Sequence, residues 1–271
     1  MTQQNLSISE HCVDLWLIDP NDHHDKSTLE AYSNLLTAEE KARIDRFINL
    51  NARHEALVTR AFVRTLLSYY TQGDTAIEPQ QWRFEKGDKG KPEIIDPPLP
   101  LRFNLSHTEG LIVCAVTLNA DIGVDVEYIL RKNDYLKIAK YKFAPSEVNT
   151  VINAPKHDQR HHFYNYWTLK ESYIKAIGAG LSVPLDQFYF DIKDDSNVAI
   201  NFTDQLPDNG DNWQHWLLQP TSTHRIALSV HHTHQVKLER RVMRNIPLIG
   251  FEQISLPIEL TSTTTDTITK I

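Results

Sequence analysis

The sequence predicts a mixed α/β (α+β) protein assembled from two halves, and three observations point there. Residues 51–70 and 161–177 repeat apolar side chains at helical spacing, which gives one long helix per half. Runs of β-branched, aromatic or alternating residues accompany both helices and read as strands. Asn119-Ala120-Asp121 falls between the two sets and is placed at the boundary. A chain of 271 residues can bury one large core or two small ones without staples.

Residues 12–18 form the first strand, with Val13, Leu15 and Leu17 alternating against Asp14 and Trp16. Residues 29–36 read as a short helix. Thr37-Ala38-Glu39-Glu40 then matches a capping box, with Thr37 as N-cap and Glu40 reaching back to its amide. In the first long helix Ala56, Leu57, Val63, Leu66 and Leu67 make the apolar stripe, and Gly73 follows its end. Residues 82–85 suggest a strand, and Pro97, Pro98 and Pro100 exclude regular structure after the polar loop at 86–92. Residues 101–106 and 111–118 read as a hairpin around His107-Thr108-Glu109-Gly110.

Beyond the boundary, 122–128 is a strand and 135–141 a helix, and Pro145 opens another helix at a position where its missing N–H costs nothing. Tyr166, Leu169, Tyr173 and Ile177 form the buried stripe of the second long helix, which Gly178 and Gly180 close. Residues 188–192, 213–219 and 225–230 are strands. The expected organisation is an N-terminal subdomain at 1–120, a C-terminal subdomain with the chemistry at 121–259, and a loosely ordered Thr-rich tail at 260–271.

Composition narrows the function. A net charge of −7 argues against a general nucleic-acid binder, and no apolar run approaches the length of a membrane span. The first ten residues are polar, with no basic segment leading into an apolar one, so the expected location is the cytoplasm. Cys12 and Cys114 sit in apolar, strand-like runs and are expected to be buried thiols. Lys41, Arg43, Arg46, Arg53, Arg60 and Arg64 fall in one helical stretch, either as a solvated face or in part as an anion funnel. The pairs His23-His24, His161-His162 and His231-His232 lack a coherent ligand spacing, so no zinc site is expected.

The chemistry concentrates in two segments, Gly123-Val124-Asp125-Val126-Glu127 and Trp167-Thr168-Leu169-Lys170-Glu171-Ser172-Tyr173-Ile174-Lys175. Strand periodicity points Asp125 and Glu127 to one face, and Asp121 would share it. Helix periodicity stacks Glu171 and Lys175 one turn apart. Taken singly, these residues are also read as the wet face of an edge strand and an ordinary surface pair. Trp167, one turn before Glu171, weighs against that, because it would bury the helix face carrying the acid. Three carboxylates with ammonium groups suit a hard divalent cation and a diphosphate. Ser106 and His107 are adjacent on an extended segment, so they face opposite ways and do not imply a nucleophile–base pair.

The set of motifs resembles the larger, pseudodimeric 4′-phosphopantetheinyl transferases of the surfactin-synthetase-activating (Sfp) type. The match rests on Gly90-Lys91-Pro92, Phe103-Asn104-Leu105-Ser106-His107 and the two segments above, in family order, with 178–185 also similar to the family's glycine-containing segment. The resemblance implies two similar subdomains related by a pseudo-twofold, each a small, mainly antiparallel sheet packed with a long helix. It implies coenzyme A in the cleft between them, with its phosphopantetheine arm passing to a serine of an apo-acyl or peptidyl carrier protein and leaving adenosine 3′,5′-bisphosphate. The carriers serve fatty-acid, polyketide or nonribosomal-peptide synthesis.

By the same resemblance Mg²⁺ falls to Asp125, Glu127 and Glu171. Ser106 and His107 would hold the nucleotide end, His107 near the 3′-phosphate. Lys91 and Lys175 would face phosphates, Glu147 would support the metal or its waters, and Arg43 would lie near the nucleotide. The chain departs from the pattern at Glu55, where the family commonly has a phosphate-binding Arg; Arg53 is the nearest substitute. The expected enzyme is a monomer with no nucleic-acid or membrane partner. In the implied chemistry Glu171 accepts the serine proton, directly or through a metal-bound water, and Lys175 stabilises phosphoryl charge. Two other readings compete. A metal-dependent hydrolase would form product without apo-carrier, and a non-catalytic coenzyme A-binding or carrier-docking module would bind without turnover.

Overall fold

Two sheets stacked face to face form the centre of the protein, and each carries a layer of helices on its outer side. The computed structural model describes residues 5–262 apart from 88–89, 194–195, 233–236 and 247. The first sheet has the order β12-β11-β1-β5-β4, where β1 is Cys12–Ile18, β4 Leu101–Thr108, β5 Leu111–Leu118, β11 Glu239–Ile246 and β12 Gly250–Ile254. The second has the order β6-β10-β9-β13-β8-β7, where β6 is Ile122–Tyr128, β7 Phe188–Lys193, β8 Asn197–Phe202, β9 Trp213–Thr221, β10 His224–His231 and β13 Ile258–Thr261. A small hairpin, β2 (Phe84–Lys86) with β3 (Pro92–Ile94), lies apart. Both large sheets are mainly antiparallel; β1 with β11 and β8 with β13 are the parallel pairs.

Helices α1 (Lys26–Asn34), α2 (Ala38–Ile44) and α3 (Leu50–Ser68) cover the first sheet. Their shared core joins Trp16, Phe62, Leu66 and Trp82 to Phe103 and Val116. Thr37 and Glu40 exchange the two bonds of the capping box, as their spacing predicts. Helices α4 (Tyr135–Lys142), α5 (Pro145–Asn153) and α6 (Gln159–Ala176) cover the second sheet, and Tyr166, Leu169 and Tyr173 are buried there. Between the sheets, Val13 and Leu15 meet Val124, Val126, Ile226 and Leu228 in a third, wholly aliphatic contact layer apart from Trp216.

The fold corrects several expectations. The basic stretch at 41–64 is two helices, because Asn49 caps α3 after a break and sets Arg43 and Arg53 on separate elements. His107 lies in β4 opposite Ile112, and the turn is only Glu109-Gly110, with Gly110 at φ +77°. The subdomain division at 121 is crossed twice. Strands β11 and β12 return to the first sheet, where β11 pairs in parallel with β1, and β13 then crosses back to pair with β9. Leu260 is a buried core residue in β13, so the expected loose tail does not start at 260; residues 263–271 lie outside the described residues. Cys114 is fully buried and Cys12 half-buried, both as free thiols.

Candidate active site

The site forms where an edge of each sheet meets. β4 and β6 are the edge strands, so the outward amides of β6 need partners beyond a neighbouring strand. Side chains of β4 supply them: Asn104 Oδ1 accepts from Val124 N–H at 2.9 Å and Ser106 Oγ from Val126 N–H at 3.3 Å. This stitch fixes β6 along β4, and alternation then turns Asp125 and Glu127 toward α6. Helix α6 lies directly on β6. A Cβ at Gly123 would collide with the Ser172 carbonyl oxygen and the Ala176 amide nitrogen, so only glycine permits this approach.

Five charged groups meet there as a result: Asp125, Glu127, Arg131, Glu171 and Lys175. Lys175 Nζ is 2.6 Å from Asp125 Oδ1 and 2.8 Å from Ser106 Oγ, while Ser106 donates to Asp125 at 3.1 Å. Trp167 Nε1 donates to Glu127 Oε1 at 3.0 Å, and Arg131 stands 3.8 Å from the other Glu127 oxygen. Burial raises the Glu127 carboxyl to about 7, and the charge of Asp125 adds to the effect against Arg131, Trp167 and Lys175. Glu171 is raised for the same reasons, burial first and Asp125 second, with Lys175 opposing. Both acids therefore favour a cation beside them.

The donor set fits a hard divalent ion by its chemistry. Three carboxylates share one patch, and Asp125 Oδ2 is buried without a hydrogen-bond partner. Among the described residues no three acid, His or Cys side chains already converge as a ligand cluster, so the fit lies in donor type and placement.

Other expected site residues lie elsewhere. Glu147 is fully enclosed: it pairs with Lys170 at 2.8 Å and accepts from the Ala144 and Phe190 amides, which removes it from any cofactor. Lys91 Nζ donates to the carbonyls of Ile122 (3.0 Å), Lys175 (3.0 Å) and Ala176 (3.4 Å), so its ammonium faces protein carbonyls and not a phosphate. His107 shares the β4 face of Phe103 and Leu105, opposite Ser106, and is exposed. Arg53 engages Asp45 at the surface, and Arg43 is exposed in the last turn of α2. Asp121 leaves the acid face to pair with Arg102 at 2.6 Å. A groove of about 620 Å³ lies at that end of β4 and β6, lined by Lys91, Pro92, Arg102, Asp121 and His231; Asp125, Glu127 and Glu171 do not line it. Sequence reasoning missed Asn104 as a stitch and Arg131 as a partner of Glu127. Asn104 was detectable as a polar residue two positions before Ser106 on the same strand face.

Comparison with known proteins agrees with this architecture. Residues 23–119 match the family profile described as "4′-phosphopantetheinyl transferase, N-terminal", and residues 121–230 match that of the "4′-phosphopantetheinyl transferase superfamily". The chain is 35% identical to a putative 4′-phosphopantetheinyl transferase of Synechocystis over 72% of its own length and 75% of the relative's. It is 34% identical to the 4′-phosphopantetheinyl transferase HetI of Nostoc, covering 66% and 73% of the two chains. For the 4′-phosphopantetheinyl transferase Sfp of Bacillus subtilis the values are 33%, 66% and 75%. The protein belongs to the 4′-phosphopantetheinyl transferase family. It is an enzyme that transfers phosphopantetheine to carrier proteins, with coenzyme A as the family's substrate.

Proposed function

We propose that the acid cluster at the seam of the two sheets is the catalytic centre, using a divalent metal, with Mg²⁺ the expected ion, to move the phosphopantetheine arm of coenzyme A onto a carrier serine. The observation that carries this reading is the meeting of Lys175, Asp125 and Ser106 within 2.6–3.1 Å, beside the half-buried Glu127 and Glu171. Asp125, Glu127 and Glu171 would hold the metal, which when bound supplies charge neutralisation and polarisation at the diphosphate.

The rest belongs to the chain's own groups. The serine Oγ bonds to the β-phosphorus as the bond to the adenosine 3′,5′-bisphosphate oxygen breaks. Glu171, raised by burial and by Asp125, accepts the serine proton. Lys175 offers an ammonium already aimed into the cluster, so its stabilisation of phosphoryl oxygens needs little rearrangement. Ser106 borders the nucleotide end, and His107, Arg43 and Arg53 would reach the nucleotide from the first subdomain's outer face. Among the described residues no helix is long and apolar enough to cross a membrane. The enzyme is taken to work as a cytoplasmic monomer on acyl or peptidyl carriers.

The deciding experiment incubates the chain with coenzyme A, Mg²⁺ and a panel of apo-carriers from fatty-acid, polyketide and peptide pathways. Intact-mass spectrometry should show one phosphopantetheine added, dependent on the divalent ion. Equal modification after exhaustive chelation would remove the metal from the mechanism, and no modification of any carrier would overturn the reading.

A further inference from the structure

Lys91 belongs to the first subdomain by sequence, entering β3 from the β2–β3 turn, yet its ammonium is seated in the second. An ammonium has three protons, and Lys91 Nζ has three carbonyl acceptors: Ile122 in β6, and Lys175 and Ala176 in the last turn of α6. Its donors are thus fully committed. The end of a helix is where carbonyls lack intrahelical partners and where the helix dipole is negative, so a cation there is favoured twice. Burial lowers the basicity of this ammonium, and the nearby Asp121 carboxylate works against that.

The location gives the contact its consequence. Ile122 precedes Gly123, the point at which α6 and β6 touch backbone to backbone. Asp125 and Glu127 lie just along β6 from this point, and Glu171 and Lys175 lie along α6. One of the carbonyls held by Lys91 is that of Lys175 itself. A slide or lift of α6 on β6 would first break these bonds and would change the 2.6 Å separation of Lys175 and Asp125.

We infer that Lys91 is a positioning residue, a clamp from the first subdomain that fixes α6 on β6 and so sets the spacing of Lys175 and Glu171 from Asp125 and Glu127. Its effect on turnover rests on the transferase reading above, whereas its effect on the geometry does not.

The test uses Lys91→Met and Lys91→Arg in the full chain. Three quantities are read: coenzyme A affinity by calorimetry without carrier, Mn²⁺ affinity by electron paramagnetic resonance, and kcat with a modifiable apo-carrier. A clamp shaped for a compact ammonium is not restored by a longer, planar guanidinium, so both variants should behave alike. Displacement of reacting groups by about 1 Å can cost on the order of 10²-fold, so kcat should fall by about tenfold or more. Mn²⁺ should bind more weakly, while coenzyme A affinity stays within about twofold, since no phosphate contact is lost. Lost coenzyme A affinity in Lys91→Met with full recovery in Lys91→Arg is the pattern of a phosphate ligand and would overturn the clamp. Unchanged kcat and Mn²⁺ affinity in both variants would overturn it as well. Should Lys91→Met fail to fold, Lys91→Arg decides alone, because a phosphate ligand tolerates that change and the clamp does not. A wild-type chain inactive on every carrier would refute the transferase reading, and the Mn²⁺ measurement would still judge the clamp.

Discussion

At the scale of single residues, the charges at the seam divide into two jobs that mutation can separate. Lys175 is the ammonium nearest Asp125, and under the proposed mechanism its loss would remove a donor aimed at developing phosphoryl charge. Lys175→Ala should lower kcat by about 10²–10³-fold, the usual cost of one such donor. Wild-type kinetics in the folded variant would return Lys175 to an ordinary ion pair. Asp125→Ala and Glu171→Gln should differ from each other. Asp125 carries a buried oxygen without a protein partner, so its removal should raise the Mg²⁺ requirement by more than the roughly 10–100-fold that loss of a supporting group costs. Excess metal should then recover part of the rate. Glu171→Gln keeps shape and an oxygen but has no proton acceptor. Its kcat should fall by about 10²–10⁴-fold and stay low in excess Mg²⁺. Full rescue by metal would leave Glu171 a ligand only.

At the scale of elements, short-range sequence signals determine starts and stops well. Asp25 caps α1: its side chain accepts from the Thr28 amide at 2.8 Å and from the Ser27 hydroxyl at 2.7 Å. These hydrogen bonds, Thr28 foremost and then Ser27, hold its carboxyl down at about 2 against a reference of 3.8. A depressed folded-state value places this stabilisation above the unfolded value and removes it as pH falls toward the folded one. The difference in melting temperature between the wild type and Asp25→Asn should therefore be constant above pH 5 and shrink between about pH 4 and pH 2. A difference that does not change over that window would exclude the charged cap. The same local logic made the capping box at Thr37 and the strand at 122–128 legible without any tertiary information. It failed for Glu147. Its place at the third position of α5 was visible, but not the buried Lys170 that claims the carboxylate from the next helix.

At the scale of the whole molecule, the returning strand β11 closes the fold, and a buried ion pair joins it to β1 beside the strand pairing. Arg241 makes two 2.7 Å bonds to Asp14 on β1, which is fully buried and also accepts from Tyr70 at 2.8 Å. The two partners are separated by 227 positions in the chain. Arg241→Met should cost roughly 3–5 kcal/mol in urea unfolding, because it leaves a buried carboxylate uncompensated. The double variant Asp14→Leu with Arg241→Met should regain much of that loss. A single-variant loss below about 1 kcal/mol, the ordinary value of an exposed pair, would mean that strand pairing alone holds β11.

What the sequence determined by itself was local chemistry and periodicity: the helices, most strands, the family, and the facing of Asp125 with Glu127 on β6 and of Glu171 with Lys175 on α6. Those four are legible because strand and helix periods fix facing within one element, and two short segments contain them all. Only the tertiary structure decided which charges reach the centre. Ser106 enters because β4 lies along β6, Lys91 turns from phosphate to carbonyl because α6 ends beside it, and Glu147 withdraws into a buried pair. The reason is that a buried polar group takes whichever partner the packing brings within hydrogen-bonding distance, and that partner is set by contacts between segments far apart in the chain.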